Sequence, residues 1–307
     1  MALPDQLSAR RLDPAAVRAA VRRLALAAEP PWLHGEVARR MAERLAIVRL
    51  QPTRVLDWSS FLGAGAALLA RTYPKAERNA VEPSPALQAR SRELAPPRWW
   101  SALRGSSGAS QVLDAEADIP PGAQLVWANM VLHAVADPPR LFRRWQQLLA
   151  VDGFVMFSCL GPGTLRELRA LYERLGWGAA TPGFIDMHDL GDMLIEAGFA
   201  DPVMEQETLT LHWDSAETLL AELRSLGGNA APERFAGLRT PRWRRRLLAE
   251  LESLRDSSGR LGLSFEVAYG HAFKAAPRLR PGEATHVSLD DMRAMVRSNK
   301  GSRRTVG

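Results

Sequence analysis

From residue 54 onward, short apolar runs alternate with longer segments whose apolar residues recur every three or four positions. The short runs predict buried strands, and the longer segments predict amphipathic helices that pack on them. The predicted strands are Arg54–Trp58, Glu77–Val81, Gln111–Leu113, Gln124–Asn129 and Phe154–Leu160. The helices between them lie near 62–71, 84–94 and 137–149. This alternation, with short connections, predicts a parallel sheet that has helices on both faces.

The pattern is different on both sides of this region. Two amphipathic helices are predicted before it, near 14–26 and 34–48, and four follow it, near 162–175, 187–197, 215–226 and 241–256. Two further strands are predicted at Pro202–Trp213 and Ser264–Lys274. Because helices separate these two strands along the chain, we expect an antiparallel hairpin at the sheet edge with a helical insertion between its arms.

Together these elements predict an α/β, Rossmann-like fold with a mostly parallel seven-stranded sheet and an antiparallel last strand. We divide the chain into five segments: an N-terminal helical cap, a sheet-bearing core, a helical insertion, the last sheet strand and a flexible basic tail. Their boundaries are 1–50, 51–213, 214–262, 263–276 and 277–307.

Composition narrows the class of protein without fixing a function. The chain is 46% hydrophobic and 24% charged, as ordinary globular proteins are, and no apolar run is long enough for a membrane span. The single cysteine, Cys159, suits a reducing compartment, and no secretory signal is recognisable, so we expect a cytoplasmic protein. The net charge of +6 favours an acidic partner. Nucleic acid is disfavoured because no nucleic-acid-binding motif occurs.

Polar side chains close four successive predicted strands. Asp57, Glu82 and Asp114 close the first three, and Asn129 closes the fourth. In open α/β sheets ligands bind beyond the carboxyl ends of the strands, where an acidic residue can accept hydrogen bonds from ribose hydroxyls. Asp114 is placed to meet the exocyclic amine of an adenine. The pattern therefore predicts a nucleoside-cofactor site, and no P-loop is present. These residues alone leave NAD and S-adenosyl-L-methionine both open.

Longer stretches between residues 34 and 274 identify a family. The most specific are "LGPGTLRELR" (160–169) and "DMHDLGDMLIEAGFADPVM" (186–204). By these stretches the chain resembles the BioC-type malonyl-acyl-carrier-protein O-methyltransferases of biotin synthesis. The segments "TLRELR" and "DLGDML" are also similar to a mitochondrial complex I assembly factor, an arginine hydroxylase on the same fold.

The resemblance implies a class I methyltransferase fold, S-adenosyl-L-methionine as cofactor and an acidic acyl carrier protein, or a malonyl thioester, as partner. The reaction it implies is methylation of the free malonyl carboxylate, with no metal. The cofactor-binding residues that it implies are Asp57, Ser59, Gly63, Glu82, Asp114 and Asn129.

One motif departs from the family pattern. The family carries D-x-G-x-G-x-G after the first strand, and the corresponding residues here are Asp57, Ser59, Phe61 and Gly63. The family's N-terminal tyrosine is also missing, with Trp32 as its nearest substitute. Glycines at such positions let the backbone approach a ligand closely. Two interpretations stay open: a working site of altered affinity, or a catalytically silent relative in which the cofactor is lost and the protein acts as a partner-binding or assembly factor.

The resemblance also directs attention to substrate-side residues. A malonyl carboxylate is ionised at neutral pH, so methyl transfer to it needs an orienting cation rather than a general base. The candidate cations are Arg166, Arg169 and Arg224. The candidate docking patch for a carrier protein comprises Arg239, Arg242, Arg244, Arg245 and Arg246 beside Trp243, and the candidate residues at the pocket mouth are His133 and His188.

Overall fold

Seven strands form one sheet in the computed structural model, which describes residues 12–95 and 111–276. In chain order the strands are β1 (Arg54–Trp58), β2 (Glu77–Glu82), β3 (Val112–Asp114), β4 (Ala123–Ala128), β5 (Leu149–Leu160), β6 (Phe199–Trp213) and β7 (Leu261–Lys274). Their order in the sheet is β3-β2-β1-β4-β5-β7-β6. The first five strands pair in parallel, and β7 runs antiparallel to both β5 and β6.

The α-helices of the described chain are α1 (Pro14–Ala25), α2 (Trp32–Arg44), α3 (Ser60–Gly63), α4 (Ala66–Thr72), α5 (Pro85–Leu94), α6 (Pro138–Leu148), α7 (Arg166–Arg174), α8 (Met187–Glu196), α9 (Ala216–Ser225) and α10 (Pro241–Glu252). Several of them begin at residues that favour helix starts. The side chains of Asp13, Ser84, Asp137 and Thr240 each accept a backbone N–H of the first turn that follows, and proline occupies that turn. Such caps satisfy N–H groups that have no partner inside the helix.

Both faces of the central strands β1, β4 and β5 are buried, as a parallel sheet requires. Along β4, Leu125 and Trp127 point into one apolar cluster and Val126 and Ala128 into the other. The first cluster is covered by α2, α7, α9 and α10, and the second by α6 and α8. The alternation of side chains along a strand thus fixes which helices lie on which side of the sheet.

The predicted fold class is confirmed, including the antiparallel last strand and the helices α9 and α10 between β6 and β7. One predicted helix is wrong in detail. The segment near 62–71 forms two helices, α3 and α4, because Ala64 adopts a left-handed backbone with φ of 53°. The predicted basic tail, 277–307, lies outside the described residues, as do residues 1–11 and 96–110. Within the described chain, no helix has the length and apolar character of a membrane span.

Candidate functional site

The structure brings the polar strand-end residues to one edge of the sheet. Asp57 lies in β1, Glu82 and Asp114 end β2 and β3, and Asn129 directly follows β4. Because these four strands are parallel neighbours, all four side chains lie at the carboxyl edge where ligands of such sheets bind. The cofactor residues expected from the sequence therefore share one region of the molecule.

Glu82 is fully buried, and one of its carboxylate oxygens is already engaged. Its Oε1 accepts the backbone N–H of Phe61 at 2.8 Å and the hydroxyl of Ser91 at 2.5 Å. Its Oε2 has no hydrogen-bond partner among the described residues. Burial raises the pKa of the Glu82 carboxyl, and the two hydrogen bonds oppose that rise. Glu82 is thus an acceptor with one oxygen still to satisfy.

Asp57 repeats this arrangement on the adjacent strand. Its Oδ2 accepts the hydroxyl of Ser60 at 2.5 Å, while its Oδ1 has no partner in the described part of the chain. Burial raises the pKa of Asp57 to about 7; the Ser60 hydrogen bond lowers it and the nearby charge of Glu82 raises it further. Two carboxyl groups with spare oxygens therefore lie together in a dry environment.

The connection after β1 takes the place of the expected glycine loop. We call residues 59–65 the closing segment. Ser59 at its start and Ala64 near its end both have left-handed backbones, with φ of 56° and 53°, and α3 lies between them. Each such conformation costs roughly 1–2 kcal/mol in a residue with a side chain. A Cβ on Gly65 would lie 2.4 Å from Nε1 of Trp127, so the position that demands glycine is Gly65.

Phe61 packs its ring away from water. Its side chain is 3% exposed and lies in a small apolar cluster with Leu24 of α1 and Leu87 of α5. The guanidinium carbon of Arg90 lies 4.9 Å from the centre of the ring. Arg90 also donates to the carbonyls of Ala27 and Ala28, which follow α1. The bulky substitution in the motif is therefore accommodated between two helices.

Asn129 joins three elements at the same edge. Its Nδ2 donates to the carbonyls of His34 in α2 and Gly63 in α3, each at 2.7 Å. Its Oδ1 accepts the hydroxyl of Ser158 in β5 at 2.6 Å. Nδ1 of His34 lies 2.8 Å from the carbonyl of Leu62. Burial lowers the pKa of His34 to about 4, so the ring is neutral and Nδ1 carries the donated hydrogen.

Asp114, the remaining strand-end residue, is hydrogen-bonded to residues of the chain around it. Asp114 accepts Nε2 of Gln88 and the backbone N–H of Glu116, each at 2.8 Å. It is exposed, in contrast to Glu82 and Asp57. Its expected role beside an adenine stays a prediction.

Partners of the strand-end groups were not identified from the sequence. They are Ser60, Ser91, His34 and Ser158. For Ser91 the sequence does indicate a buried hydrogen bond, because this residue follows Leu87 by one turn on the buried face of α5, where a polar residue needs a partner. For His34 and Ser158 the sequence indicates no such bond, since their contacts with Asn129 join distant parts of the chain.

The three candidate arginines lie in different environments. Arg166 is exposed beside Glu167, and Arg224 is exposed at the end of α9. Arg169 lines a cavity of about 350 Å³ together with Tyr172 and Glu173 of α7, Gly176 and the residues 178–181. Its guanidinium donates to the carbonyl of Pro162, and its Nε has no partner among the described residues. Arg169 therefore has a cavity in front of it.

The basic patch on α10 is only partly available to a partner. Arg239 stacks on Phe235 and Trp243, with its guanidinium carbon 3.9 Å and 4.5 Å from the two ring centres. The patch residues that are exposed are Arg242, Arg244, Arg245 and Arg246. Of the candidate mouth residues, His188 is exposed and His133 is half-buried, with its ring centre 6.1 Å from that of His34.

Comparison with known proteins gives consistent matches. A methyltransferase-domain family profile matches residues 31–202. A malonyl-[acyl-carrier protein] O-methyltransferase of Gallionella capsiferriformans is 39% identical over 82% of this chain and 88% of its own length. A protein of the same name from Nitrosospira multiformis is 35% identical over 91% of this chain and 96% of its own.

Solved structures share the fold at low sequence identity. The YcgJ protein of Bacillus subtilis superposes with a TM-score of 0.51 at 10% identity, covering 78% of this chain and 99% of its own. The [4+2]-cyclase SpnF superposes with a TM-score of 0.50 at 16% identity, covering 88% of this chain and all of its own. The fold is therefore shared with a protein named for a different reaction, so the reaction has to be argued from the site.

Proposed function

Because this chain belongs to the malonyl-[acyl-carrier protein] O-methyltransferase family, we propose that it methylates the free carboxylate of a malonyl group carried by an acyl carrier protein. The cofactor in this proposal is S-adenosyl-L-methionine. The observation that supports it most is the convergence of Asp57, Glu82 and Asn129 at the carboxyl edge of the sheet, inside a chain similar to these relatives over most of its length.

The chemistry of the site residues suits this cofactor. Oε2 of Glu82 and Oδ1 of Asp57 are buried acceptors without described partners, and such atoms are costly to leave unsatisfied. S-adenosyl-L-methionine carries ribose hydroxyls and an ammonium group, which are donors, and its positive charge stabilises ionised carboxylates. The cofactor supplies an activated methyl group when bound. Glu82 and Asp57 are the residues that we propose hold it.

On the substrate side we assign the orienting role to Arg169. A guanidinium binds a carboxylate through two parallel N–H groups, which fixes the position of the oxygens. The cavity beside Arg169, at about 350 Å³, falls within the range of small-ligand pockets. Since the malonyl carboxylate is already ionised at neutral pH, Arg169 has to orient it and no residue has to deprotonate it.

The partner in this proposal is an acidic carrier protein. The exposed arginines of α10, Arg242, Arg244, Arg245 and Arg246, present positive charge on the insertion between β6 and β7. Charge complementarity of this kind speeds association and fixes the orientation of the partner.

Mass spectrometry of the carrier protein tests the proposal. Purified protein, S-adenosyl-L-methionine and malonyl-carrier protein should give a carrier whose acyl group has gained one methyl ester. Acetyl-carrier protein is the matched control, because it lacks the free carboxylate and should not change. A malonyl-carrier protein that stays unmodified under conditions where the cofactor binds would contradict the proposal.

A second function is favoured by one observation, the replacement of two motif glycines by Ser59 and Phe61 with the Phe61 N–H bonded to Glu82. In this alternative the protein keeps the fold and a partner surface but transfers no methyl group. It predicts that carrier protein binds while S-adenosyl-L-methionine does not. Calorimetric titration with each compound separates the two functions.

A further inference from the structure

We propose that the closing segment, residues 59–65, is a gate over the cofactor site, and that Phe61 determines cofactor affinity by holding this gate shut. The proposal rests on the proposed function in one respect, since the ligand that it concerns is the adenosyl cofactor. It goes beyond that function because it assigns a role to the residue at which this chain departs most from the family pattern.

The closing segment and the cofactor compete for the carboxylate of Glu82. The Phe61 N–H donates to Oε1 of Glu82 at 2.8 Å, and the Ser91 hydroxyl donates to the same oxygen at 2.5 Å. An acidic residue at the end of the second strand is where ribose hydroxyls bind in this type of sheet. Oε1 of Glu82 already accepts these two donors, so a ligand whose two ribose hydroxyls bind both carboxylate oxygens has to displace the Phe61 N–H, although Oε2 has no partner in the described chain.

The buried side chain of Phe61 anchors this N–H in place. The Phe61 ring is 3% exposed between Leu24 of α1 and Leu87 of α5, with the guanidinium of Arg90 against it. Opening the segment would move this ring toward water. Apolar burial on this scale favours the closed segment by about tenfold to 100-fold, and apparent ligand affinity falls by the same factor.

The closing segment has a residue at each end about which it can rotate. Left-handed residues, Ser59 and Ala64, flank α3, so a change of backbone angles at these two positions would swing α3 as a unit. The residues on either side of the segment are fixed in position by the sheet and by close packing. Trp58 belongs to β1, and Gly65 is packed against the Trp127 indole so closely that no Cβ fits. The strain at Ser59 and Ala64 favours opening. The Phe61 anchor opposes it, together with the hydrogen bonds that join Ser60, Leu62 and Gly63 to Asp57, His34 and Asn129.

The test is the affinity for S-adenosylhomocysteine, measured by calorimetry on the full chain so that no turnover is needed. Phe61→Ala keeps the N–H but removes the anchor, and Leu24→Ala weakens the anchor from the α1 side. Phe235→Ala is the matched control, because Phe235 is 50% exposed and packs against Arg239 on the insertion. Hydrogen exchange of peptides covering residues 59–65 reports the gate directly.

We expect Phe61→Ala to bind S-adenosylhomocysteine at least about tenfold more tightly than the unaltered chain, with Leu24→Ala changed in the same direction and Phe235→Ala unchanged. Exchange in the closing segment should be faster in the first two variants. If Phe61→Ala does not fold, Leu24→Ala decides. Equal or weaker binding by the folded anchor variants, or no binding by any of them, would overturn the gate.

Failure of the gate and failure of the proposed function are distinguishable. A tightened affinity without methyl ester on malonyl-carrier protein would support the gate and contradict the methyl transfer. Methyl ester formation with the same affinity in the unaltered and Phe61→Ala proteins would do the reverse.

Discussion

At the scale of single residues, the site is defined by two buried acids that lack enough donors. Glu82 and Asp57 each accept hydrogen bonds on one oxygen and leave the other without a described partner. Buried carboxyl groups in that situation are stable chiefly in the protonated form, or when a ligand supplies donors and positive charge. The free chain should therefore lose stability as these groups ionise.

Asp57→Asn tests this through the pH dependence of stability. The folded-state pKa of Asp57, about 7, lies above its ordinary value of 3.8. Its stabilising effect is therefore complete below that ordinary value and is lost as pH rises through 7. The full shift corresponds to about 4 kcal/mol as an upper bound.

Denaturant unfolding at pH 5 and pH 8 should show that the unaltered protein loses more stability than Asp57→Asn between these values. Comparing the two proteins cancels the opposite contribution of His34, whose pKa burial lowers. Identical losses would contradict the assignment.

Arg169→Lys tests the orienting role at the cavity. Lysine keeps the charge but loses the planar pair of donors, so we expect the KM for malonyl-carrier protein to rise by about tenfold. Arg166→Lys is the control, since Arg166 is exposed beside Glu167. Steady-state methyl-ester formation measures both variants, and equal KM values in the two would show that Arg169 does not orient the carboxylate.

At the scale of elements, the helices and strands could be predicted and the segment between β1 and α4 could not. The apolar run located β1 to the residue because this strand is buried on both faces and four of its five residues in a row are buried. The closing segment instead depends on left-handed backbones at Ser59 and Ala64, residue types that seldom adopt them. The hydrogen bonds of Asn129 to His34 and Ser158 join segments that only the folded topology brings together. Local sequence carries no signal for such contacts.

At the scale of elements, the close packing of Gly65 against Trp127 can be tested by mutation. A methyl group at this position would meet the buried Trp127 indole at 2.4 Å, so Gly65→Ala should destabilise the fold by about 1–3 kcal/mol. Gly35→Ala is the matched control, since nothing lies within 4 Å of its added Cβ and it sits in helix α2. That control should be neutral or stabilising by up to about 1 kcal/mol. Thermal unfolding of the two variants compares them, and equal melting temperatures would contradict the packing argument.

At the scale of the whole molecule, two kinds of surface come from different parts of the fold. The adenosyl-type edge lies at β1, β2 and β4, and the basic α10 lies in the insertion between β6 and β7. The family resemblance implies that one reaction uses both surfaces, whereas composition indicates only a net positive charge. Which arginine faces a cavity depended on packing between α7 and residues 176–181, which periodicity does not determine.

Reversal of charge on α10 tests the docking surface. Arg244→Glu with Arg245→Glu should weaken binding of an acidic carrier protein by about tenfold at low salt, and less at high salt as screening increases. Arg71→Glu with Lys75→Glu makes the same change in net charge at exposed positions of α4 and the turn after it. Titration of carrier protein at two salt concentrations measures both. An equal loss in the two double variants would indicate a general charge effect rather than a docking site.

The proposed methyl transfer depends most on Glu82 acting as the acceptor that holds the cofactor. Transfer of labelled methyl from S-adenosyl-L-methionine to malonyl-carrier protein should be measured side by side for the unaltered protein and for Glu82→Gln. We predict label on the carrier with the unaltered protein and at least a tenfold lower kcat/KM with Glu82→Gln, as expected for a lost hydrogen bond to a charged group. No label with the unaltered protein, or equal rates for the two, would contradict the account.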